Sequence, residues 1–360
     1  MTRVGVLGAG AWGTALAQML ASDGREVLIW AREAELVEEI NSARTNSLFL
    51  PSATLADTIR ATGNLSEMAT LETLLVVTPA QHMGKVLADM PAHPRDLVLC
   101  SKGIEAGSGR LMNHVAKHAA PGSAIAVLSG PTFAHEVATG LPTAVTLACA
   151  EGEAQWDRIA PVIARQTFRP YYSDDVTGAE IGGSVKNVLA IACGVVDGLG
   201  LGQNARAALI ARGYAEMLRF GEALGARAET LAGLCGLGDL VLTCSSTSSR
   251  NFSLGKALGE GKKAEELMAD RRTVAEGAHT APVLVELAAR HAEQLALVRI
   301  GPGLGEIGER FPPEAFKAPQ EARNVDGVHR PTMKSIGPLE KGRFGASAAH
   351  AALPGPGAAL

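Results

Sequence analysis

The sequence predicts an α/β protein with a doubly wound parallel sheet in its first half and helices in its second. Three observations carry this prediction. Short continuous apolar runs, each followed by a helical pattern, recur through roughly the first 150 residues, as expected of parallel strands buried on both faces. A glycine triplet separates the first such run from the first helical pattern. After residue 178 the apolar positions change to helical spacing.

Composition limits the classes of function. At 360 residues the chain can hold two domains, and its net charge of −4 predicts no broad affinity for nucleic acid or anionic membranes. The five cysteines are scattered without a C-x-x-C pair, which predicts free thiols in a reducing compartment. No signal-like segment precedes the first strand and no apolar run is long enough to span a bilayer. We therefore expect a soluble cytoplasmic protein, and no residue spacing suggests a metal site.

The glycine triplet follows a predicted strand at residues 4–7 and opens a predicted helix at residues 13–22. Its spacing is G-x-G-x-x-G, with Gly8, Gly10 and Gly13. Gly8 permits the tight turn, Gly10 lets a pyrophosphate approach the backbone, and Gly13 lets helix and strand pack closely. A helix N-terminus offers unpaired N–H groups to phosphate. The context favours a dinucleotide-binding Rossmann domain over a tight βα turn without a ligand.

A second strand is predicted at residues 26–30, and Arg32 and Glu33 follow it. In dinucleotide-binding sheets an acidic residue at this position bonds the ribose 2′-hydroxyl, whereas an arginine accommodates a 2′-phosphate. Because Arg32 comes first, we expect NADP(H) to be favoured over NAD(H). The alternative is a solvated arginine at the start of a helix.

Four more strands are predicted in the first half, at residues 74–77, 97–100, 125–128 and 145–148. Residues 41–51 are predicted to form a loop. Ligands bind outside the carboxyl ends of the strands in such sheets. Lys102 follows the second of these runs after one serine, so we expect its ammonium to face the ligand, unless it is a surface lysine in a turn.

In the second half, residues 184–199 have apolar side chains around almost the whole predicted helix, which indicates a buried helix containing Lys186. Burial lowers the pKa of a lysine and suits it to proton transfer near neutral pH. The alternative is a lysine that reaches water or pairs with a carboxylate. The face below Lys186 carries small residues, which allow close approach of a partner or ligand: Ala190, Cys193 and Gly194.

Two further helices are predicted at residues 205–224 and 255–268. Between them, glycines break the pattern and present Asp239 at a helix start or in a loop. The following segment, residues 245–251, combines hydroxyls, an amide and Arg250. Arginine is the best side chain for bidentate phosphate binding. The alternative is a hydroxyl-rich loop with one exposed arginine.

Seven motifs in this order resemble the prokaryotic-type NAD(P)-dependent glycerol-3-phosphate dehydrogenase family over residues 1–291. They are Gly8–Thr14, Ser101–Glu105, Ser129–Ala134, Lys186–Val188, Gly236–Leu240, Ser249–Asn251 and Val274–Gly277. The resemblance implies a Rossmann domain at residues 1–178 and an all-helical domain at 179–300, similar to the C-terminal domain of 6-phosphogluconate dehydrogenase. It also implies a homodimer.

The implied reaction is reversible NAD(P)H-dependent reduction of dihydroxyacetone phosphate to sn-glycerol 3-phosphate, which supplies glycerophospholipid synthesis. By the resemblance, Lys186 is the proton donor. The implied cofactor-binding residues are Gly8, Gly10, Ala11, Trp12, Gly13, Arg32, Lys102, Ala134, Arg250, Val274 and Glu276. The implied substrate-binding residues are Lys102, Gly130, Thr132, Lys186, Asp239, Thr243, Ser249, Arg250 and Asn251.

Two readings compete with this one. A related two-domain β-hydroxyacid or sugar dehydrogenase also places a lysine on this helix, but its substrate is a carboxylate. Asp239 and the segment Ser249–Asn251 favour a phosphate ester. A dinucleotide-sensing protein without turnover needs no proton donor such as Lys186.

The sequence departs from the family in two places. Ser184 occupies a position where the family has alanine or threonine, and a serine is small enough to have little effect. Residues 301–360 contain 10 glycines and 8 prolines and lose helical periodicity. This composition predicts a disordered tail or a shifted reading frame, and with it a weakened helical domain or dimer contact.

Overall fold

The computed structural model describes residues 4–269 and 275–290. Val274 and the glycine- and proline-rich segment at residues 301–360 lie outside the described residues, so the expectations for them stay predictions. The described strands are β1 Val4–Leu7, β2 Val27–Trp30, β3 Ile59–Thr62, β4 Thr73–Val76, β5 Asp96–Leu99, β6 Ala124–Ser129, β7 Thr143–Cys149 and β8 Phe168–Ser173.

Helices alternate with these strands and then continue alone. Those in the sheet region are α1 Ala11–Ala21, α2 Ala34–Ala43, α3 Leu65–Met68, α4 Ala80–Asp89, α5 Met112–Ala119, α6 Ala134–Ala138 and α7 Glu153–Ile163. Those that follow are α8 Val176–Gly198, α9 Gly202–Ala223, α10 Ala228–Ala232, α11 Asp239–Cys244, α12 Arg250–Gly259, α13 Ala264–Ala269 and α14 Glu276–Arg290. A π-helical turn, Leu234–Gly238, leads into α11.

The strands form one sheet in the order β3-β2-β1-β4-β5-β6-β7-β8. This confirms the doubly wound α/β fold, because the chain runs outward from β1 in both directions. One pair departs from the parallel arrangement, since β6 and β7 are antiparallel. Two edge strands were missed. Arg60 interrupts the apolar pattern of β3 and Pro170 that of β8, as polar residues and proline are tolerated at sheet edges.

Two local predictions need correction. The loop expected at residues 41–51 starts later, because α2 continues to Ala43 and ends at Arg44, which adopts a left-handed conformation with φ of 57°. The helix expected at residues 255–268 is two helices, α12 and α13. Gly261 lies between them with φ of 88°, a conformation that a helix cannot include.

The boundary between the two domains, predicted after residue 178, lies in the first turn of α8, which begins at Val176, and it stays a prediction.

The helix α8 is the core of the second half. It is long and apolar enough to cross a membrane, but 94% of its most apolar window is buried inside the fold, as in the central helix of a globular domain. Helices α9, α11, α12 and α14 all have side chains in the apolar clusters around it. The expected buried helix is therefore confirmed, and it is 23 residues long.

Glycines bring α8 and α12 into backbone contact. A Cβ at Gly194 would lie 2.0 Å from the Phe252 carbonyl oxygen, and one at Gly255 would lie 1.9 Å from the Ile191 carbonyl oxygen. Gly198 and Gly259 make equally close approaches one turn further along. The small face below Lys186 thus receives a partner helix. As a result, the residues that open α12 are held close to the helix that carries Lys186.

Candidate active site

The glycine turn has the geometry that dinucleotide binding requires. Gly8 adopts φ of 121°, which favours glycine. A Cβ on Gly13 would lie 1.8 Å from the Gly8 carbonyl oxygen, so only glycine lets α1 pack here. A Cβ on Gly10, in contrast, would meet nothing within 4 Å. The N-terminus of α1 is thus open at Gly10, where a pyrophosphate would approach, with Ala11 and Trp12 beside it.

Arg32 lies just past the end of β2, as predicted. Its side chain is 77% exposed, and its Nη2 atom is 2.7 Å from Oε1 of Glu33. The guanidinium therefore stands at the sheet edge where the adenosine ribose of a dinucleotide lies. An exposed pair of this kind contributes little stability, so Arg32 can exchange Glu33 for a phosphate.

Two lysines from different halves of the fold share one buried carboxylate. Lys186 Nζ on α8 lies 2.9 Å from Oδ1 of Asp239. Lys102 Nζ, from the turn after β5, lies 2.7 Å from the other oxygen, Oδ2. Asp239 is the first residue of α11 and its side chain is fully buried. Thr243 lies one turn further along α11, and its hydroxyl accepts a hydrogen bond of 2.8 Å from Lys186.

The electrostatics of this cluster suit proton transfer. Burial lowers the pKa of Lys186 to about 8, the nearby Asp239 opposes the shift, and Lys102 adds to it. The sequence allowed Lys186 to be either a buried lysine suited to proton transfer or a lysine paired with a carboxylate. In the structure its amine is both buried and paired with Asp239. The ammonium form is therefore available at neutral pH and can give up its proton.

Asp239 makes its contacts within the protein. Both of its oxygens are occupied by the lysines, and Oδ1 also accepts a hydrogen bond from Thr243 at 3.2 Å. The carboxylate is thus engaged by three donors inside the fold, and its contact with the substrate stays a prediction. The geometry favours a role in holding the two ammonium groups at one point.

Two of the side chains at the start of α12 form hydrogen bonds within the protein, and the third carries a charge without an ion pair in the described residues. Ser249 is the N-cap of α12, and its hydroxyl accepts a hydrogen bond from the Phe252 N–H at 3.2 Å. The side-chain oxygen of Asn251 accepts one from the Gly277 N–H at 3.0 Å, which ties α12 to α14. Arg250 is exposed and has no ion pair within 4 Å among residues 4–269 and 275–290. Its guanidinium is thus available to a ligand anion.

Glu276 begins α14 and lies within electrostatic reach of the cluster. Burial raises its pKa to about 7, and the positive charges of Arg250, Lys102 and Lys186 act against that shift. The sequence placed it with the cofactor-binding residues, and the structure brings it to the cations. Gly130 and Thr132 follow β6, and Ala134 opens α6. Gly130 and Thr132 line a small depression together with Trp12, Lys102 and Ser129.

Three residues at this junction make contacts that the sequence did not predict. Ser129 has a buried hydroxyl that finds no hydrogen-bond partner in the described part of the chain. A Cβ on Gly183 would lie 3.1 Å from that hydroxyl oxygen and 3.3 Å from Cγ of Lys102. The Ser184 hydroxyl oxygen lies 2.8 Å from the Glu180 carbonyl oxygen and 3.1 Å from that of Gly103, so these two acceptors share its one proton. The adjacent glycines at 182 and 183, inside an otherwise apolar helix, were the signal that could have revealed this close packing.

Comparisons with known proteins agree with this architecture. The family described as NAD-dependent glycerol-3-phosphate dehydrogenase matches twice, with its N-terminal model on residues 3–155 and its C-terminal model on residues 175–300. No cluster of three or more metal-ligating side chains occurs in the described residues.

Individual relatives give the same picture. A protein of Erythrobacter litoralis named glycerol-3-phosphate dehydrogenase, NAD(P)+, is 74% identical over 296 residues, which cover 82% of this chain and 89% of that protein. One of Parvibaculum lavamentivorans with the same name is 55% identical over 314 residues, 85% of this chain and 94% of that protein. The crystal structure of glycerol-3-phosphate dehydrogenase from Coxiella burnetii has a TM-score of 0.77 at 40% identity and covers 81% of this chain and 90% of that one.

Proposed function

The chain belongs to the NAD-dependent glycerol-3-phosphate dehydrogenase family, and from this premise we infer how its residues perform the reaction. The protein is a glycerol-3-phosphate dehydrogenase that uses NAD(P), and it interconverts dihydroxyacetone phosphate and sn-glycerol 3-phosphate. The product is a precursor of glycerophospholipids. The observation that carries the mechanism below is the buried lysine pair on Asp239.

Lys186 acts as the general acid of the reduction in this proposal. When bound, the nicotinamide supplies the hydride that makes the ketone oxygen negative. Lys186 donates a proton to that oxygen, and in the reverse direction its neutral amine accepts the proton from the alcohol. Asp239 and Thr243 fix the amine from α11. Because the site is buried, the remaining positive charge of Lys102 also stabilises the developing alkoxide.

Arg250 holds the phosphate of the substrate in this proposal. Its guanidinium has no ion pair within 4 Å among the described residues. Arg250 is the first residue of α12, the helix that packs against α8 and therefore against the helix that carries Lys186. A bidentate arginine contact suits a phosphate ester. An arginine also binds carboxylates in this way, so the choice of the phosphorylated ketone over a β-hydroxyacid is supported by the family match. A protein that only senses dinucleotides would also have no use for a buried proton donor such as Lys186.

We also propose that NADP(H) is favoured over NAD(H). Arg32 stands at the end of β2, exposed, where a 2′-phosphate on the adenosine ribose would meet it. The remaining proposals are a homodimer and a cytoplasmic location. Five buried free cysteines suit a reducing compartment.

The decisive experiment follows the oxidation of NADPH by the purified protein on addition of dihydroxyacetone phosphate, repeated with NADH. We expect rapid oxidation with both cofactors and a lower KM for NADPH. Dihydroxyacetone and a β-keto acid serve as controls for the phosphate. Faster turnover of the keto acid than of the phosphate ester would overturn the substrate assignment, and light scattering on the same preparation measures the oligomeric state.

A further inference from the structure

Ser129 is the last residue of β6, at the carboxyl edge of the sheet where ligands bind. The residue is only 3% exposed, and its hydroxyl has no hydrogen-bond partner in the described part of the chain. Buried hydroxyls are normally paired, so an unpaired one at a binding edge calls for an explanation. It lines the same depression as Trp12, Lys102 and Thr132.

The neighbouring polar groups are already engaged. Lys102 directs its ammonium to Asp239 at 2.7 Å, and Thr132 directs its hydroxyl to the Gly130 carbonyl at 3.3 Å. Trp12 offers a ligand only an N–H donor, so among the described side chains that line the depression the Ser129 hydroxyl is the one that has no partner and can both donate and accept. It can both donate and accept one hydrogen bond, which suits a neutral ligand group that does the same.

The path of a dinucleotide over this sheet identifies that group. A bound dinucleotide would place its pyrophosphate at Gly10 beyond β1 and its adenosine ribose toward Arg32 beyond β2. The other half of the dinucleotide must then extend over β4, β5 and β6, which follow β1 on its opposite side. Ser129 is at the end of this path. The nicotinamide carries a carboxamide, which is neutral and both donates and accepts hydrogen bonds.

We propose that Ser129 hydrogen-bonds the carboxamide of the nicotinamide and thereby orients the ring toward Lys186. The proposal rests on the NAD(P)-dependent reaction proposed above. It adds a residue to the cofactor site that neither the motif resemblance nor the comparisons assign. It also explains the glycine at position 183, since a Cβ there would lie 3.1 Å from the Ser129 hydroxyl oxygen and crowd it.

The test compares wild type with Ser129→Ala by titration calorimetry, without substrate, against two ligands. One is NADPH, and the other is 2′-phospho-ADP-ribose, which lacks the nicotinamide. We expect NADPH to bind S129A about fivefold more weakly, the effect of one neutral hydrogen bond. The ligand without the ring binds both proteins equally. The ligand-free melting temperature stays the same or rises, because an unpaired buried hydroxyl has been removed.

Thr58→Val is the matched control, because the Thr58 hydroxyl is also buried without a partner among the described residues but lies before β3, at the other end of the sheet. It should leave NADPH binding unchanged. Equal weakening of both ligands by S129A, no weakening of NADPH, or a rise only in the KM for dihydroxyacetone phosphate would each overturn the role of Ser129. A wild-type protein that fails to bind NADPH would overturn the proposed function as well.

Discussion

Replacing Lys186 by methionine tests the mechanism with little disturbance of shape. Methionine fills a similar volume and cannot transfer a proton. Loss of a positioned general acid costs about 10²- to 10⁴-fold in rate, which is about 3–5 kcal/mol in the activation barrier. We therefore expect kcat for dihydroxyacetone phosphate reduction to fall by this factor. Affinity for NADPH, measured by quenching of protein fluorescence, should change less than threefold.

Folding stability should respond differently from turnover. Lys186 has a pKa lowered from 10.5 to about 8 in the fold, so at pH 7 keeping it charged costs about 3 kcal/mol. Methionine removes that cost but also removes one partner of Asp239, which keeps Lys102 at 2.7 Å. The two effects oppose each other, and we expect the melting temperature at pH 7 to shift by only a few degrees.

The pH dependence of stability provides an internal check. The unfolded chain binds one proton more than the fold between pH 8 and 10.5 at Lys186. Wild type should therefore gain stability relative to K186M as the pH rises through this window, while below pH 8 the difference is constant. Lys256→Met is the control, because Lys256 pairs with Asp197 away from the cluster. K186M with more than a tenth of wild-type turnover, or K256M with an equal loss, would refute the reasoning.

Four further predictions concern other residues of the site and the core. In the wild type, kcat/KM for ketone reduction should decline above pH 8, while kcat/KM for glycerol 3-phosphate oxidation increases. Asp239→Asn should move both pH profiles to lower pH by about one unit, because Asp239 raises the pKa of Lys186. Unchanged pH profiles in this variant would contradict the assignment. Arg250→Ala should raise the KM for dihydroxyacetone phosphate about 10- to 100-fold without affecting dihydroxyacetone, and equal losses would make Arg250 structural. Arg32→Ala should raise the KM for NADPH about tenfold and leave that for NADH unchanged, whereas parallel changes would remove the 2′-phosphate role. Gly194→Ala should lower the melting temperature by several degrees in calorimetry, because its Cβ would lie 2.0 Å from the Phe252 carbonyl oxygen and overpacking costs about 1–3 kcal/mol. An unchanged melting temperature would show that α8 and α12 can move apart without loss of stability.

The central part of the fold was predictable because its signals are local. Each inner strand is a short apolar run, and the glycine turn, the Lys186 helix and the order of elements all follow from neighbouring residues. The outermost strands β3 and β8 were missed, since an edge strand needs no continuous apolar pattern. The split between α12 and α13 was missed as well, because charged residues at helical spacing hid the left-handed Gly261.

The sequence by itself determined which side chains could do the chemistry, because motifs such as Lys186-Asn187 and Ser249-Arg250-Asn251 are contiguous in the chain. Tertiary structure alone decided which of them meet. Lys102 and Asp239 are 137 residues apart and come together only because α11 packs on α8, which brings Asp239 to the turn after β5. It also placed Asp239 between two ammonium groups, a contact that the sequence did not predict. Contacts of this kind depend on how the sheet and the helices bury their apolar faces together, which no local pattern encodes.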